Sequence, residues 1–313
     1  MMSQFGVARH MSIRAKIMNL LFKRTLKPML KQHLDDIPKL RQRMGASDQA
    51  IPKPIANTEF SRIVVEGRQV DRVQHESASP DKVCLYFHGG GYVLPGSQGH
   101  VALASELSKQ VGMTVYLLDY RLGPEEPFPM AVDDAFAAYR WLLGEGLTPD
   151  QIIIGGDSAG GGLAVATLLN IKHHGLAQPA AAMLLSPWVD LSLSGGSVKV
   201  NEDRDVMLSE GVLASWAKAY LQEHDPMAPL ASPIFADLSG LAPMLVHVGS
   251  TEILRSDAED LVDRVIEQGG SAVLKVWENL PHVFQVLGSR LPEAKASIAL
   301  LADYCRQQLR TPT

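Results

Sequence analysis

Apolar positions along the chain follow two alternating rhythms. Short aliphatic runs read as strands buried on both faces, and longer stretches with apolar residues at helical spacing read as helices. Arg62 to Glu66 and Gln69 to His75, separated around Gly67, predict an antiparallel hairpin at a sheet edge. Val83 to Phe87 predicts a buried strand, Leu103 to Val111 a short helix, Thr114 to Leu118 a strand and Ala131 to Leu143 a helix. Ile152-Ile153-Ile154 forms the next strand, and the apolar stretch from Leu163 the helix after it. Ala180 to Leu185, Met244 to Gly249 and Ser271 to Trp277 complete the strands, with helices at Ala258 to Gln268 and at the C-terminus. This alternation predicts an α/β protein with a doubly wound, mostly parallel sheet flanked by helices.

Two segments break the rhythm. Residues 11–34 place Ile13, Ile17, Leu20, Leu21, Met29, Leu30 and Leu34 roughly at helical spacing, with Arg14, Lys16, Lys23, Arg24, Lys27 and Lys31 over much of the other face. Pro28 divides this helix in two. A helix packed on the body with a solvated basic face is preferred to a membrane-surface helix. Residues 45–58, with Gly45, Pro52, Pro54 and Asn57, read as a linker. Further on, Ser192, Ser194, Gly195, Gly196 and Ser197 read as a loop, and Glu210 to Gln222 as a helix with Leu213, Trp216 and Tyr220 on one face. The expected division is therefore an N-terminal helical cap segment at 1–50 and an α/β body at 51–313, with 192–225 inserted to complete the cap. Met207, Leu208, Trp216 and Tyr220 are candidate pocket walls, although an ordinary packed helix explains their spacing equally well. Tyr92, Trp188, Val283 and Phe284 join them as candidate pocket residues.

Candidate chemistry concentrates after the strands, where open parallel sheets place their ligands. From Ile154 the chain reverses through Gly155-Gly156-Asp157-Ser158-Ala159-Gly160-Gly161-Gly162 into a helix. Gly156 and Gly160 flank Ser158 in a G-x-S-x-G pattern, where missing Cβ atoms let strand and helix close around a strained serine with an exposed hydroxyl. A Gly-rich packing turn or a phosphate cradle is the plainer alternative. His88-Gly89-Gly90-Gly91 follows the strand at Val83 to Phe87, and such a run can turn N–H groups toward a developing oxyanion. For His88, fixing that loop through a hydrogen bond is preferred to a catalytic role. Asp119, Arg121 and Glu125, at another strand exit, read as a charge-satisfied structural loop.

A serine hydroxyl is a poor nucleophile until a base accepts its proton and an acid orients that base. His282, just beyond the last strand, fits the base. Glu252 lies three residues past the strand ending at Gly249, whereas Asp257 reads into the first turn of the next helix, where it favours the helix dipole. Glu252 is preferred as the acid. His247 lies inside a strand as a core or face residue, His173 and His174 end the serine helix, and His224 is in the insertion. None has metal-ligand spacing backed by carboxylates, so neither a metal nor an organic cofactor is expected.

Composition narrows the setting. The chain's 313 residues, 46% of them hydrophobic, suit one large α/β domain plus an accessory segment. A net charge of −5 gives no reason to expect a nucleic-acid partner, but residues 1–44 hold ten of the 29 Lys/Arg and two of the 34 Asp/Glu. Ile17 to Phe22 is too short, and too broken by Asn19, for a secretory apolar region, and no run approaches a membrane span. Cys84 and Cys305 do not form a disulfide framework. A cytoplasmic protein with no stable membrane anchor is expected, and an edge strand near the C-terminus offers a surface for a homodimer.

The chain resembles the hormone-sensitive-lipase-like carboxylesterases, the bacterial family IV branch of the α/β hydrolases. His88-Gly89-Gly90-Gly91 is similar to that family's HGGG motif, Gly156-Asp157-Ser158-Ala159-Gly160-Gly161 to its GDSAGG motif, and Tyr120-Arg121-Leu122-Gly123-Pro124-Glu125 to its YRLAPE segment with one change. The resemblance runs from about residue 60 to the C-terminus. It implies an α/β-hydrolase fold with a helical cap, Ser158 as nucleophile, His282 as base and an oxyanion hole from the N–H groups of Gly90, Gly91 and Ala159. His88, Gly89 and Asp157 would support these loops. Two departures stand out. Glu252-Ile253-Leu254-Arg255-Ser256 occupies the place of the family's Asp-Pro-Leu-x-Asp, putting a side chain one methylene longer at the acid. His282-Val283-Phe284 replaces the usual His-Gly-Phe, and Val283 narrows the space beside the base. The expected activity is hydrolysis of short- to medium-chain acyl esters through an acyl-enzyme, with a small-molecule ester as partner. The alternatives are an interfacial lipase and a non-catalytic small-molecule-binding protein on the same fold.

Overall fold

The computed structural model describes residues 11–34, 36–47 and 53–309. The parts of the expected cap segment and linker at 1–10, 35 and 48–52 lie outside them. Eight strands form one sheet: β1 (Thr58–Val65), β2 (Arg68–His75), β3 (Ser79–Phe87), β4 (Met113–Leu118), β5 (Ile152–Asp157), β6 (Ala181–Leu185), β7 (Met244–Gly249) and β8 (Ala272–Trp277), in the order β1-β2-β4-β3-β5-β6-β7-β8. The β1–β2 hairpin is antiparallel at one edge and β2 meets β4 antiparallel; every other pairing is parallel.

The isoleucine run shows why the sheet is buried on both sides. Ile152 and Ile154 join one core layer with Leu142, Leu163 and Leu261, while Ile153 points into the other with Leu103, Leu107 and Leu301. All three isoleucines are fully buried. Successive strand side chains alternate between faces, so a strand feeding two layers must be apolar throughout. The first layer is closed by α5 (Met130–Gly144), α6 (Ala159–His173) and α9 (Arg255–Glu267), the second by α4 (Gln98–Leu107) and α10 (Pro292–Gln308).

The N-terminal helices are α1 (Ile13–Arg24), α2 (Leu26–Gln32) and α3 (Ile37–Ser47). The break falls at Thr25, three residues before Pro28. Pro28 has no N–H for the Arg24 carbonyl four residues back, and its ring crowds that carbonyl. Residues 45–47 of the expected linker are the end of α3. Arg41 on α3 ties this segment to the body: its guanidinium donates to Val93 O at 2.7 Å and Gly123 O at 2.8 Å, and in two bonds to the Glu125 carboxylate. In the insertion, the expected loop turns helical at α7 (Gly196–Val200), and α8 (Glu210–Leu221) follows with Ser209 capping its first turn. α4 starts five residues before the expected Leu103, because Ser97 and His100 form a capping box there.

Candidate active site

β3, β5, β6, β7 and β8 run parallel, so the segments that follow them gather along one edge of the sheet. Ser158 stands between β5 and α6 with φ 54° and ψ −123°. That left-handed backbone is costly for a residue with a side chain, and the surrounding turn holds it. A Cβ on Gly156 would sit 2.1 Å from Gly160 O, and one on Gly160 would sit 2.0 Å from Phe87 O, so both flanking positions require glycine. Ser158 N donates to Leu185 O at 2.8 Å, and Ser158 O accepts from Gly161, Gly162 and Trp188. As a residue the serine is 6% exposed. The insertion's helix α8 packs directly on the neighbouring glycine loop, with Trp216 against Gly91.

That loop follows β3. Gly90 has φ 120° and Gly91 φ 62°, and a Cβ on Gly91 would lie 2.1 Å from Trp216 Cε3 on α8. Asp157, immediately before the serine, ties the two loops together: it accepts from Gly89 N at 3.0 Å and from the Tyr86 hydroxyl at 2.9 Å. Burial would push the Asp157 carboxyl up, but the nearby His100 and its hydrogen bond, with Tyr86, outweigh burial and hold it below its ordinary value. The Tyr120 hydroxyl donates to His88 O at 2.6 Å, and its ring stacks on the His88 ring at 4.3 Å. His88 Nδ1 lies 2.7 Å from Gly89 O, and burial pushes its imidazole down to about 4, so it is neutral at ordinary pH. Among the described residues, no hydrogen bond uses the N–H groups of Gly90, Gly91 or Ala159. These three donors remain available to an oxygen from outside the chain.

His282 follows β8 and is 6% exposed; Glu252 follows β7 and is 1% exposed. His282 Nδ1 lies 2.7 Å from Glu252 Oε2. Burial would lower the His282 imidazole, yet the hydrogen bond and charge of Glu252, helped by Asp205 and Asp157, raise it above the usual histidine value. Asp257 lies in the first turn of α9 and does not approach His282. Its Oδ2 accepts from the backbone of Val189 at 2.9 Å and Asp190 at 3.0 Å, and burial pushes its carboxyl well up.

Three supporting side chains escaped the sequence reading. Ser186 donates to Glu252 Oε1 at 2.8 Å, beside the Gly249 N–H that reaches the same oxygen. Asn201 Nδ2 donates to Glu252 O at 2.8 Å, and Asp205 Oδ2 accepts from Ile253 N at 3.0 Å. The peptide unit joining Glu252 to Ile253 is therefore gripped at both ends. Ser186 was discoverable, since it ends a strand on the active edge; Asn201 and Asp205 sit in the insertion without a local signal.

The candidate pocket residues divide. Tyr92 stacks on Tyr220 at 4.0 Å and lies near Trp188 and Tyr120. Trp216, Leu208 and the half-buried Met207 belong to the same layer. Phe284 is fully buried elsewhere, edge-on to Trp277 in a separate cluster, and Val283 takes a left-handed φ of 47° beside His282. Among the described residues, no group of His, Cys, Asp and Glu could hold a metal ion.

A strand–serine–helix elbow, a glycine loop with unpaired donors and a buried histidine–carboxylate pair, set on a mostly parallel sheet, define an α/β hydrolase. The chain belongs to the α/β-hydrolase fold family, whose model matches residues 84–286, in its hormone-sensitive-lipase-like branch. It is 41% identical to an acetyl-hydrolase of Streptomyces hygroscopicus over 225 residues, 72% of this chain and 75% of that one. It is 36% identical to an esterase of Acinetobacter venetianus over 228 residues, again 72% and 75% of the two chains. Among solved structures, a bacterial hormone-sensitive lipase family esterase aligns with 39% identity and TM-score 0.84 over 90% of this chain and 99% of its own.

Proposed function

We propose that the protein is a serine carboxylesterase that hydrolyses short- to medium-chain acyl esters through an acyl-enzyme on Ser158. The observation that carries the reading is the buried His282–Glu252 pair on the same sheet edge as the strained serine and the three unpaired N–H groups. Ser158 Oγ attacks the ester carbonyl as His282 Nε2 takes its proton. Glu252 keeps the other imidazole proton on Nδ1 and stabilises the imidazolium. The N–H groups of Gly90, Gly91 and Ala159 receive the oxyanion. The tetrahedral intermediate collapses as His282 returns the proton to the leaving alkoxide, so an alcohol departs. Water, deprotonated by the same histidine, then attacks the acyl-Ser158 carbonyl, and the acid leaves with Ser158 restored.

Residues 1–50 and 192–225 serve as the cap. Arg41, bonded to Val93 O and Gly123 O, and α8, whose Trp216 abuts Gly91, support that assignment. The preference for short acyl chains draws on the aromatic layer beside the loop and on the relatives' names, esterase and acetyl-hydrolase. A structural neighbour at 33% identity and TM-score 0.89, covering 96% of this chain and 100% of its own, was soaked with p-nitrophenyl butyrate. A cytoplasmic location is part of the proposal, supported by two buried free thiols, Cys84 and Cys305. No described helix is long and apolar enough to cross a membrane.

The test is hydrolysis of p-nitrophenyl esters from acetate to palmitate, with Ser158→Ala alongside. Activity should peak at short chains and fall on the order of a millionfold in the variant. Wild-type activity in Ser158→Ala would sink the proposal, and a peak on long-chain droplets would favour the interfacial lipase.

A further inference from the structure

α1 carries apolar side chains on two opposite faces, and the fold uses only one of them. On the inner face Ala15 is fully buried, and Met18 and Phe22 pack against the cluster that holds Trp277, Leu280 and Phe284. Asn19 Nδ2 donates to Asn279 O at 2.9 Å, fastening the helix to the loop that carries His282. On the outer face Ile13, Ile17, Leu20 and Leu21 are 75%, 62%, 50% and 49% exposed. At helical spacing these four fall within an arc of about 100°. Arg24 projects within the same arc, Lys16 and Lys23 run along one border and Arg14 along the other. Single exposed apolar residues need no explanation, but four on one stripe of one helix form a patch of the kind that meets a partner or a lipid surface.

We infer that the outer face of α1 docks the protein reversibly on an anionic lipid bilayer. The charge pattern selects this occupant. Residues 11–34 contain no Asp or Glu, whereas 32 of the chain's 34 acidic residues lie beyond residue 44. An anionic bilayer supplies hydrocarbon for the stripe and negative headgroups for its cationic borders, as in-plane amphipathic helices require. It also repels the acidic body, so the molecule is held with α1 down. A second copy packed on this face would bring the cationic borders of two helices together and is disfavoured by like-charge repulsion. Farther along, Lys27 and Lys31 are occupied by the turn at 202–205: Lys27 Nζ donates to Asp205 O at 2.7 Å and Lys31 Nζ to Glu202 Oε1 at 3.3 Å. The docking contact is therefore confined to α1. Because its inner face rests on the His282 loop, docking sets that side of the molecule against the surface, where esters that partition into lipid would be found. The docking itself does not depend on the ester reading.

Co-sedimentation of the full chain with vesicles tests it. One set contains equal parts phosphatidylglycerol and phosphatidylcholine, the other phosphatidylcholine alone. Binding is expected to the mixed vesicles, weakened by salt, and at least about tenfold lower to the neutral ones. Ile17→Ser with Leu21→Ser should lower partitioning about tenfold or more, as should Lys16→Gln with Lys23→Gln and Arg24→Gln. Hydrolysis of soluble p-nitrophenyl butyrate should be unchanged in both variants, because the side chains are exposed. Leu20→Ser alone repeats the apolar test with the least change to the helix. No binding, equal binding to both vesicle types, or variants that bind as well as the wild type would overturn the inference. So would a dimer in size-exclusion chromatography that Ile17→Ser with Leu21→Ser dissociates, which would assign the face to a second copy.

Discussion

Replacing Glu252 by glutamine tests the acid assignment more sharply than removing it, because the surroundings dictate how the amide must sit. Glu252 Oε1 accepts from the Gly249 N–H and the Ser186 hydroxyl, while Oε2 faces His282 Nδ1 at 2.7 Å. A glutamine must keep its carbonyl oxygen toward Gly249, since an NH₂ there would oppose a backbone donor that cannot rotate away. Its NH₂ then points at His282 and donates to Nδ1. That fixes the imidazole proton on Nε2, the atom that must accept from Ser158. The nucleophile loses its base although every heavy atom stays in place. By analogy with carboxylate-to-amide changes in other triads, kcat should fall about 10⁴-fold, or about 5.4 kcal/mol in the barrier. The pH dependence should move as well. In the wild type the raised His282 must be neutral to act, so activity is lost as pH falls through a value above the ordinary 6.5. In Glu252→Gln the raising charge is gone and burial remains, so the residual acid limb shifts to lower pH. The assay is kcat and kcat/KM for p-nitrophenyl butyrate between mildly acid and mildly alkaline pH, with Asp257→Asn as comparison. Asp257 accepts from two backbone N–H groups, which an Asn Oδ1 can also do, and it makes no hydrogen bond with His282, so Asp257→Asn should leave turnover close to wild type. A Glu252→Gln enzyme within tenfold of wild type, or an Asp257→Asn enzyme with the larger kcat loss, would refute the reasoning.

Two further predictions address the supports of the site. Gly91→Ala places a methyl 2.1 Å from Trp216 Cε3 at a backbone φ of 62°, so the loop or α8 must move. Kcat should fall about 10²- to 10³-fold, as when one oxyanion donor is lost, with tryptophan fluorescence reporting the displaced indole. Asn201→Ala leaves the buried Glu252 carbonyl without its 2.8 Å donor. Urea unfolding should show a loss of about 1–3 kcal/mol. Kcat should drop about tenfold with KM nearly constant, because the acid shifts while the ester contacts do not.

What could be read from the chain was whatever depends on neighbours in sequence. The isoleucine run before Ser158, the glycines around it and the glycines after Phe87 carry their geometry in adjacent residues, and the strands β3 to β8 lie within a few residues of their expected limits. Helix starts were less legible, since the Ser97–His100 box and the start of α6 at Ala159 lack an apolar signal. The support of the acid was the least legible part. Ser186 and Asn201 reach Glu252 across 66 and 51 residues of chain; Ser186 is marked only by its place at a strand end, and Asn201 carries no pattern of its own. Glutamate in place of aspartate is explained only by that support. One oxygen stays against Gly249 at the end of its own strand, β7, and Ser186 just past the neighbouring β6, while the other extends to His282 after β8. Because Asn201 and Asp205 hold the peptide that follows it, and Lys27 holds the Asp205 carbonyl, the position of this carboxylate depends on the insertion and on α2 as well as on β7. The segments that break the βα rhythm of the sequence thus act on the centre of the site.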